Sequence, residues 1–192
     1  PELDWASAGQ LAEAGEQLGQ TQRVTTERRE VVVARDVIAA QQTPPKHRHL
    51  ALALNSTPPP YAEQPNTDIV LLPTDGSGTF TNLTTNNPYG DDYPRFSPDG
   101  RSVLYTRVAT ANSQGELRRL WQHRLAEKRN LPMAASVDLS IDSPRFTGDG
   151  GSVVFLAEQE GRVPLFRLEP DGSGAPSVLF GEGSSTALDV VN

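Results

Sequence analysis

The sequence predicts an all-β fold made of repeated four-stranded antiparallel units, as two recurring segments and the composition indicate. A fourteen-residue segment that begins at Asp92 recurs at Asp142, an offset of 50 residues. A shorter segment, residues 68–78, recurs at 164–174 with an offset of 96, close to twice the first period. The 16 glycines and 16 prolines are frequent for a helical protein and ordinary for strands joined by tight turns.

The two copies of the longer segment agree at eight of fourteen positions. The identical pairs are Asp92/Asp142, Pro94/Pro144, Arg95/Arg145, Phe96/Phe146, Asp99/Asp149, Gly100/Gly150, Ser102/Ser152 and Val103/Val153. The Asp-Gly pair predicts a hairpin turn in each copy, because glycine tolerates positive φ and the aspartate caps the bend. We expect the paired Phe and Val positions to be equivalent and buried between neighbouring units.

Short runs rich in Val, Leu, Phe and Tyr flank these turns and predict the strands. The predicted strands are 93–97, 102–108, 116–123 and 130–133 in one unit, and 143–147, 152–157, 164–168 and 176–180 in the next. Runs such as 153–156 do not alternate between apolar and polar residues, which suits strands covered on both faces. Four short strands per unit with glycine-rich turns are typical of β-propeller blades.

An earlier blade is predicted from weaker matches. Residues 43–46 occupy the position of the Asp-Gly turn of the other blades, and 49–54, 68–73 and 80–83 are predicted as strands two to four. The predicted propeller domain covers 41–192, with blades at about 41–85, 92–134 and 142–181. Residues 1–40 form an unassigned N-terminal segment, in which 5–18 has a helical composition and 27–37 is predicted as a strand. Because propellers have about four to eight blades, we expect an incomplete propeller.

Composition excludes several kinds of partner. The net charge of −7, from 17 basic and 24 acidic residues, argues against nucleic acid. Without cysteine there is no disulfide, thiol nucleophile or thiolate metal site. No apolar run approaches the roughly 20 residues of a membrane helix. The chain begins at Pro1, which we interpret as a processed or shortened product whose targeting signal could have been removed. A periplasmic or secreted location is favoured over a cytoplasmic one.

Two clusters could hold metals, and both have a structural alternative that we favour. His47 and His49 are spaced to share one strand face as half of a zinc site, but a solvated strand explains them as well. Asp91, Asp92 and Asp99 could chelate calcium, yet they lack the alternating ligands of a calcium loop, so turn capping is favoured. We therefore predict no metal, no cofactor and no catalytic residue in this chain.

Other polar features have similar alternatives. Asn55 and Asn82 begin glycosylation sequons, which matter only in a secreted eukaryotic protein. The basic residues of the 118–129 stretch are expected to protect an outer edge strand from pairing with other sheets. These residues are Arg118, Arg119, Arg124, Lys128 and Arg129. Glu158 and Glu160 could bind a peptide amino terminus, but neither matches a known acidic residue that binds such a terminus.

Residues 94–100, Pro-Arg-Phe-Ser-Pro-Asp-Gly, resemble the repeat of TolB-like propellers. These include the periplasmic TolB protein and the N-terminal propellers of the prolyl oligopeptidase family of serine peptidases. The match is closest to the dipeptidyl-peptidase and acylaminoacyl-peptidase branch, over 67–76, 93–109 and 140–172. Residues 1–40 have no counterpart, and Gly148 replaces the expected proline.

The resemblance implies a propeller that filters peptides before they reach an α/β-hydrolase domain, which would contain the catalytic Ser, Asp and His. That domain is absent from this sequence, which has no Gly-x-Ser-x-Gly nucleophile elbow. The expected partners are a peptide substrate, and a hydrolase domain or second copy that completes the propeller. The alternative is a TolB-like propeller that binds a protein partner and catalyses nothing. We favour the peptidase interpretation because of the 140–172 match.

Overall fold

A computed structural model describes residues 23–26, 29–33, 49–55, 66–74, 80–109, 116–135 and 137–190. The strands in these residues form three antiparallel sheets, each ordered as in the chain. The first sheet contains β1 (Arg23–Thr26), β2 (Arg29–Val33), β3 (His49–Asn55), β4 (Thr67–Pro73) and β5 (Thr81–Asn82). The second contains β6 (Asp91–Phe96), β7 (Ser102–Arg107), β8 (Arg119–Arg124) and β9 (Arg129–Pro132). The third contains β10 (Ile141–Phe146), β11 (Val153–Ala157), β12 (Leu165–Leu168) and β13 (Ser177–Phe180).

The second and third sheets are the two units predicted from the repeat. No strand boundary in them differs from its predicted position by more than three residues. The all-β class is confirmed, since the described residues contain strands and turns but no helix. Four strands joined in chain order, each antiparallel to the next, form one propeller blade.

The hairpin between the first two strands has the same geometry in both blades. In the second sheet the Ser97 N–H donates to the Ser102 carbonyl at 2.9 Å, and the third sheet has the same bond from Thr147 to Ser152 at 2.9 Å. Gly100 has a φ of 67° and Gly150 a φ of 71°. This left-handed conformation favours glycine, which has no Cβ to clash with the backbone. The predicted equivalence of the two Asp-Gly turns is confirmed.

Apolar side chains hold the three sheets together. Ala51 and Ile69 of the first sheet share a core with Val103 of the second. Leu104, on the opposite face of β7, shares another core with Val153 of the third sheet. Because the first sheet covers one face of β7 and the third sheet covers the other, all six residues of β7 are buried. Its sequence therefore lacks the apolar–polar alternation of a strand with one wet face.

The two phenylalanines of the repeat differ in burial, although both were expected to be buried. Phe146 is 9% exposed and lies within the core between the second and third sheets. Phe96 is only partly buried against the core between the first and second sheets. That core includes Ala51 and Ala53, whose small side chains cover less of a neighbouring ring. Val103 and Val153 are both 0% exposed, as expected.

The first sheet begins earlier in the chain than the sequence indicated. Strand β2, which lies within the predicted 27–37 strand, pairs with β3 on the side opposite β4, and β1 pairs with the other side of β2. The sheet thus includes residues before position 41, which were not assigned to the repeat. Strands β3, β4 and β5 match the predicted 49–54, 68–73 and 80–83 closely. The predicted turn at 43–46 and the helical stretch 5–18 lie outside the described residues.

Candidate functional site

The first strands of the second and third sheets, β6 and β10, define what we call the inner edge. Strand β10 packs against β6, β7 and β8, and β6 packs against β3 and β4. The fourth strands lie away from these contacts, and every residue of β13 is exposed. The second and third sheets therefore converge at their first strands. The fourth strand β9 also contacts the first sheet, because Asn130 Nδ2 donates to the Leu83 carbonyl at 2.8 Å. In a propeller the converging edge surrounds the central channel, where ligands can approach.

Each strand of the inner edge contains a β-bulge at the same repeat position. The pairing of β6 with β7 shifts between Asp92 and Arg95, and that of β10 with β11 shifts between Asp142 and Arg145. Within the bulges Tyr93 has a φ of 56° and its equivalent, Ser143, a φ of 48°. Such backbone costs about 1–3 kcal/mol per residue and is found frequently at functional sites. A bulge also changes the direction of the side chains that follow it.

An arginine follows each bulge after one proline. Arg95 Nη1 donates to the Pro94 carbonyl at 2.9 Å, and Arg145 Nη1 donates to the Pro144 carbonyl at 3.2 Å. Arg95 is buried and Arg145 is partly buried. Burial first, and the charge of Arg145 second, lower the pKa of Arg95 to about 9, while Asp189 acts in the opposite direction. The two arginines thus occupy equivalent positions at the inner edge.

A second polar cluster lies at the start of β6 and includes a buried ion pair. Arg107 Nε donates to Asp91 Oδ1 at 2.8 Å, and both side chains are at most 8% exposed. The Arg107 guanidinium lies 4.6 Å from the Trp121 ring centroid, within range of a cation–π interaction. Asn87 Nδ2 donates to Asp91 Oδ1 at 3.2 Å. The cluster joins the loop before β6 to β7 and β8.

The acidic residues considered for calcium do not form one site. Asp91 pairs with Arg107 at the start of β6, whereas Asp99 lies in the hairpin beyond its other end. Asp99 Oδ1 accepts from the Ser97 hydroxyl at 2.6 Å and from the Arg101 N–H at 3.0 Å. These bonds hold the pKa of Asp99 below its usual value. Turn capping thus describes Asp99, whereas Asp91 is an ion-pair partner.

The histidines are not brought together within the described residues. His49 is exposed, and His47 lies outside the described residues. His123 is buried, with its Nδ1 2.8 Å from Asn130 Oδ1. No group of three or more His, Cys, Asp or Glu side chains able to hold a metal occurs in the part of the chain that the structure describes. In that same part, no helix is long and apolar enough to span a membrane.

The polar side chains of the second sequon, Asn82 and Thr84, make hydrogen bonds in the first sheet. The Thr84 hydroxyl accepts from the Ile69 N–H at 2.9 Å and donates to Asp68 Oδ1 at 3.3 Å. Asn82 Oδ1 accepts from the Thr84 N–H at 2.8 Å. The Thr84 side chain thus links the end of β5 to β4, and Asn82 fixes the Thr84 backbone. Asn55 ends β3, and the other two residues of its sequon lie outside the described residues.

The remaining charged candidates lie on the surface. Arg119 Nη2 is 3.3 Å from Asp138 Oδ1, and Arg124 Nη1 is 3.4 Å from Glu127 Oε1. Arg118, Lys128 and Arg129 are exposed. Of the basic stretch, Arg129 lies on the outer strand β9, whereas Arg119 and Arg124 lie on β8, which pairs with β7 and β9, so the expected edge protection is wrong for these two. Glu158 and Glu160 are exposed in the β11–β12 connection. The sequence analysis identified Arg95 and Arg145 as repeat positions but did not indicate that both would be largely covered within the sheets.

Stacked antiparallel sheets of four or five strands, the second and third of which converge at their first strands, define this chain as part of a β-propeller. No protein-family model matches it. It is 30% identical over 142 residues to dipeptidyl-peptidase 5 of Trichophyton schoenleinii, covering 67% of this chain and 19% of that protein. It is 27% identical over 108 residues to dipeptidyl-peptidase 5 of Porphyromonas gingivalis, covering 56% of this chain and 16% of that protein.

Among solved structures, the fold matches a puromycin hydrolase S511A mutant complexed with PGG. The TM-score is 0.52 with 19% identity, over 69% of this chain and 21% of that one. The chain thus spans about a fifth of the length of the curated relatives it matches. The resemblance to the dipeptidyl-peptidase branch, based on the repeat motifs, is confirmed by these similarities.

Proposed function

We propose that this chain is a non-catalytic propeller region of a prolyl oligopeptidase-family serine peptidase, which controls the access of peptides to a hydrolase domain. The observation that supports this most is the 142-residue similarity to a dipeptidyl-peptidase 5, which spans 67% of this chain but only 19% of that protein. The aligned part of the relative is thus a small portion of a much longer enzyme. A propeller portion without a nucleophile elbow fits the role of an access filter.

The geometry supports a filter because the blades converge on an edge with charged and strained residues. The backbone at the inner edge is displaced by two bulges, and two arginines follow them. Apolar cores hold neighbouring blades together, so the edge forms part of a stable wall. A wall of this kind can exclude large folded proteins by size while it admits extended peptides.

The first test is to read the gene beyond the codons for this chain and to assay both products. We expect an α/β-hydrolase sequence with a nucleophile elbow, and a longer protein that cleaves dipeptidyl chromogenic substrates. The 192-residue chain alone should not cleave them, because it lacks a nucleophile–base pair. Further blades up to a stop codon would contradict the proposal and favour a partner-binding scaffold. Turnover that copurifies with the isolated chain would also contradict it.

The filtering role needs its own test in the longer protein. Leu120→Ala weakens the core between the second and third sheets, at a cost of about 2–5 kcal/mol for a fully buried leucine. We expect it to increase casein cleavage while kcat/KM for a dipeptidyl nitroanilide is retained. Val178→Ala is the control, since it shortens an exposed side chain on β13 and should change neither activity. A wild-type protein that cleaves casein as readily as the variant would refute the filter.

A further inference from the structure

Strand β13 carries a run of exposed apolar side chains. Val178 is 53%, Leu179 57% and Phe180 55% exposed, and these are the exposed large apolar side chains among the described residues. The three are consecutive and lie on the outer strand of the third sheet, which pairs with β12 on one side. An exposed apolar strand at the edge of a sheet is a site where another strand can pair.

A further blade would not account for this exposure. Val178 lies opposite Phe166 on the neighbouring strand, so the two side chains share one face of the sheet. Phe166 belongs to the core that the third sheet shares with Leu104 of the second sheet. A further blade would pack on the opposite face of the third sheet and leave Val178 exposed. The contact that would cover Val178 therefore lies at the edge of the sheet, not on its open face.

The outer strand of the second sheet differs from β13 in its edge chemistry. Strand β9 has the sequence Arg-Asn-Leu-Pro, and a charge and a proline both hinder pairing at an edge. Strand β13 has the sequence Ser-Val-Leu-Phe, with neither device. Residues 175–181 include no ionisable side chain, although the chain has a net charge of −7. An acidic chain repels its own copy, so an uncharged segment is where two copies can approach.

We propose that β13 is an assembly edge, at which the β13 strands of two copies of this chain pair antiparallel and join their third sheets. Such a pair is two-fold symmetric, so the apolar residues of one strand meet those of the other. It also continues the pattern of the third sheet, in which each strand is antiparallel to the next. A strand of four residues makes a small contact, so we expect a reversible dimer.

The test is cross-linking of single-cysteine variants of the 192-residue chain, which has no cysteine of its own. Ser177→Cys lies on β13, and Ala126→Cys, in the exposed β8–β9 turn, is the control. A short bismaleimide should link Ser177→Cys into covalent dimers and leave Ala126→Cys monomeric. Adding Leu179→Lys should weaken the dimer about tenfold, because the symmetry brings like charges together across the edge. Leu179→Met is the matched variant and should retain cross-linking.

Thermal unfolding of each variant separates a lost contact from a lost fold. Equal cross-linking of the two cysteine variants, or none of Ser177→Cys, would overturn the assembly edge. Species larger than dimers that persist with Leu179→Lys would also overturn it, because they would arise from the open face of the third sheet. The cross-link should form equally in a longer protein with further blades. Its loss there would overturn the proposal by showing that the added part of the chain covers β13.

Discussion

Replacing Tyr105 by phenylalanine should stabilise this chain. Tyr105 is 0% exposed and lies in the core between the first and second sheets. Its hydroxyl oxygen is buried and has no hydrogen-bond partner among the described residues. A buried hydroxyl without a partner costs about 1–3 kcal/mol, judged from protein mutations. The substitution removes one oxygen and leaves the ring in place, so it creates only a minimal cavity.

The expected gain in unfolding free energy is therefore about 1–3 kcal/mol. For a chain of this size each kcal/mol raises Tm by about 2–4 °C, so the change is measurable by urea titration and by thermal unfolding. Tyr93→Phe is the matched control, because the Tyr93 hydroxyl has a hydrogen bond with Asp142 and its removal should give no gain. Destabilisation by Tyr105→Phe would show that the buried hydroxyl has a partner, and would refute the reasoning.

Three further predictions concern the core, a buried carboxylate and the outer edge. Phe146→Ala should cost about 3–5 kcal/mol in a urea titration, and Phe96→Ala less because its ring is partly exposed; equal losses would contradict the different burial. Burial raises the pKa of Asp91 to about 6 from 3.8, although its arginine partner lowers it, so the folded chain binds this proton more tightly than the unfolded chain. The unfolding free energy should then fall as pH rises through that interval, and a slope that survives in Asp91→Asn would disprove this assignment. Leu179, 57% exposed on the outer strand β13, should promote association, so Leu179→Lys should lower the mass seen by light scattering more than Ser177→Lys does; monodisperse wild-type monomers would contradict this.

Local sequence signals were sufficient to predict the two four-stranded blades. The Asp-Gly turns, the apolar runs beside them and the fifty-residue offset predicted eight strands and their grouping. Each of these signals concerns residues close in sequence, where turn chemistry and strand propensity act directly. The first sheet was harder to predict, because β2 and β3 are separated by a long connection and no turn motif marks their pairing.

The candidate site could be predicted only in part. The sequence identified Arg95 and Arg145 as equivalent repeat positions, but the two residues are 50 positions apart and the sequence does not show how each is buried. Similarly, Asp91 was recognised as one of three neighbouring carboxylates, and its partner Arg107 became evident only when β6 paired with β7. Contacts between strands depend on register, which a sequence pattern constrains to a face but not to a particular side chain.

The sequence by itself determined the all-β class, the repeated blade, the equivalent hairpins and the likeness to dipeptidyl-peptidase propellers. Tertiary structure decided the convergence of first strands, the bulges before the two arginines, and the unequal burial of Phe96 and Phe146. The physical reason is that turns and strands depend on local backbone preferences and on apolar patterning. Burial depends instead on which side chains a neighbouring sheet presents. Here the first sheet, whose core residues include the small Ala51 and Ala53, covers Phe96 less fully than the second sheet covers Phe146.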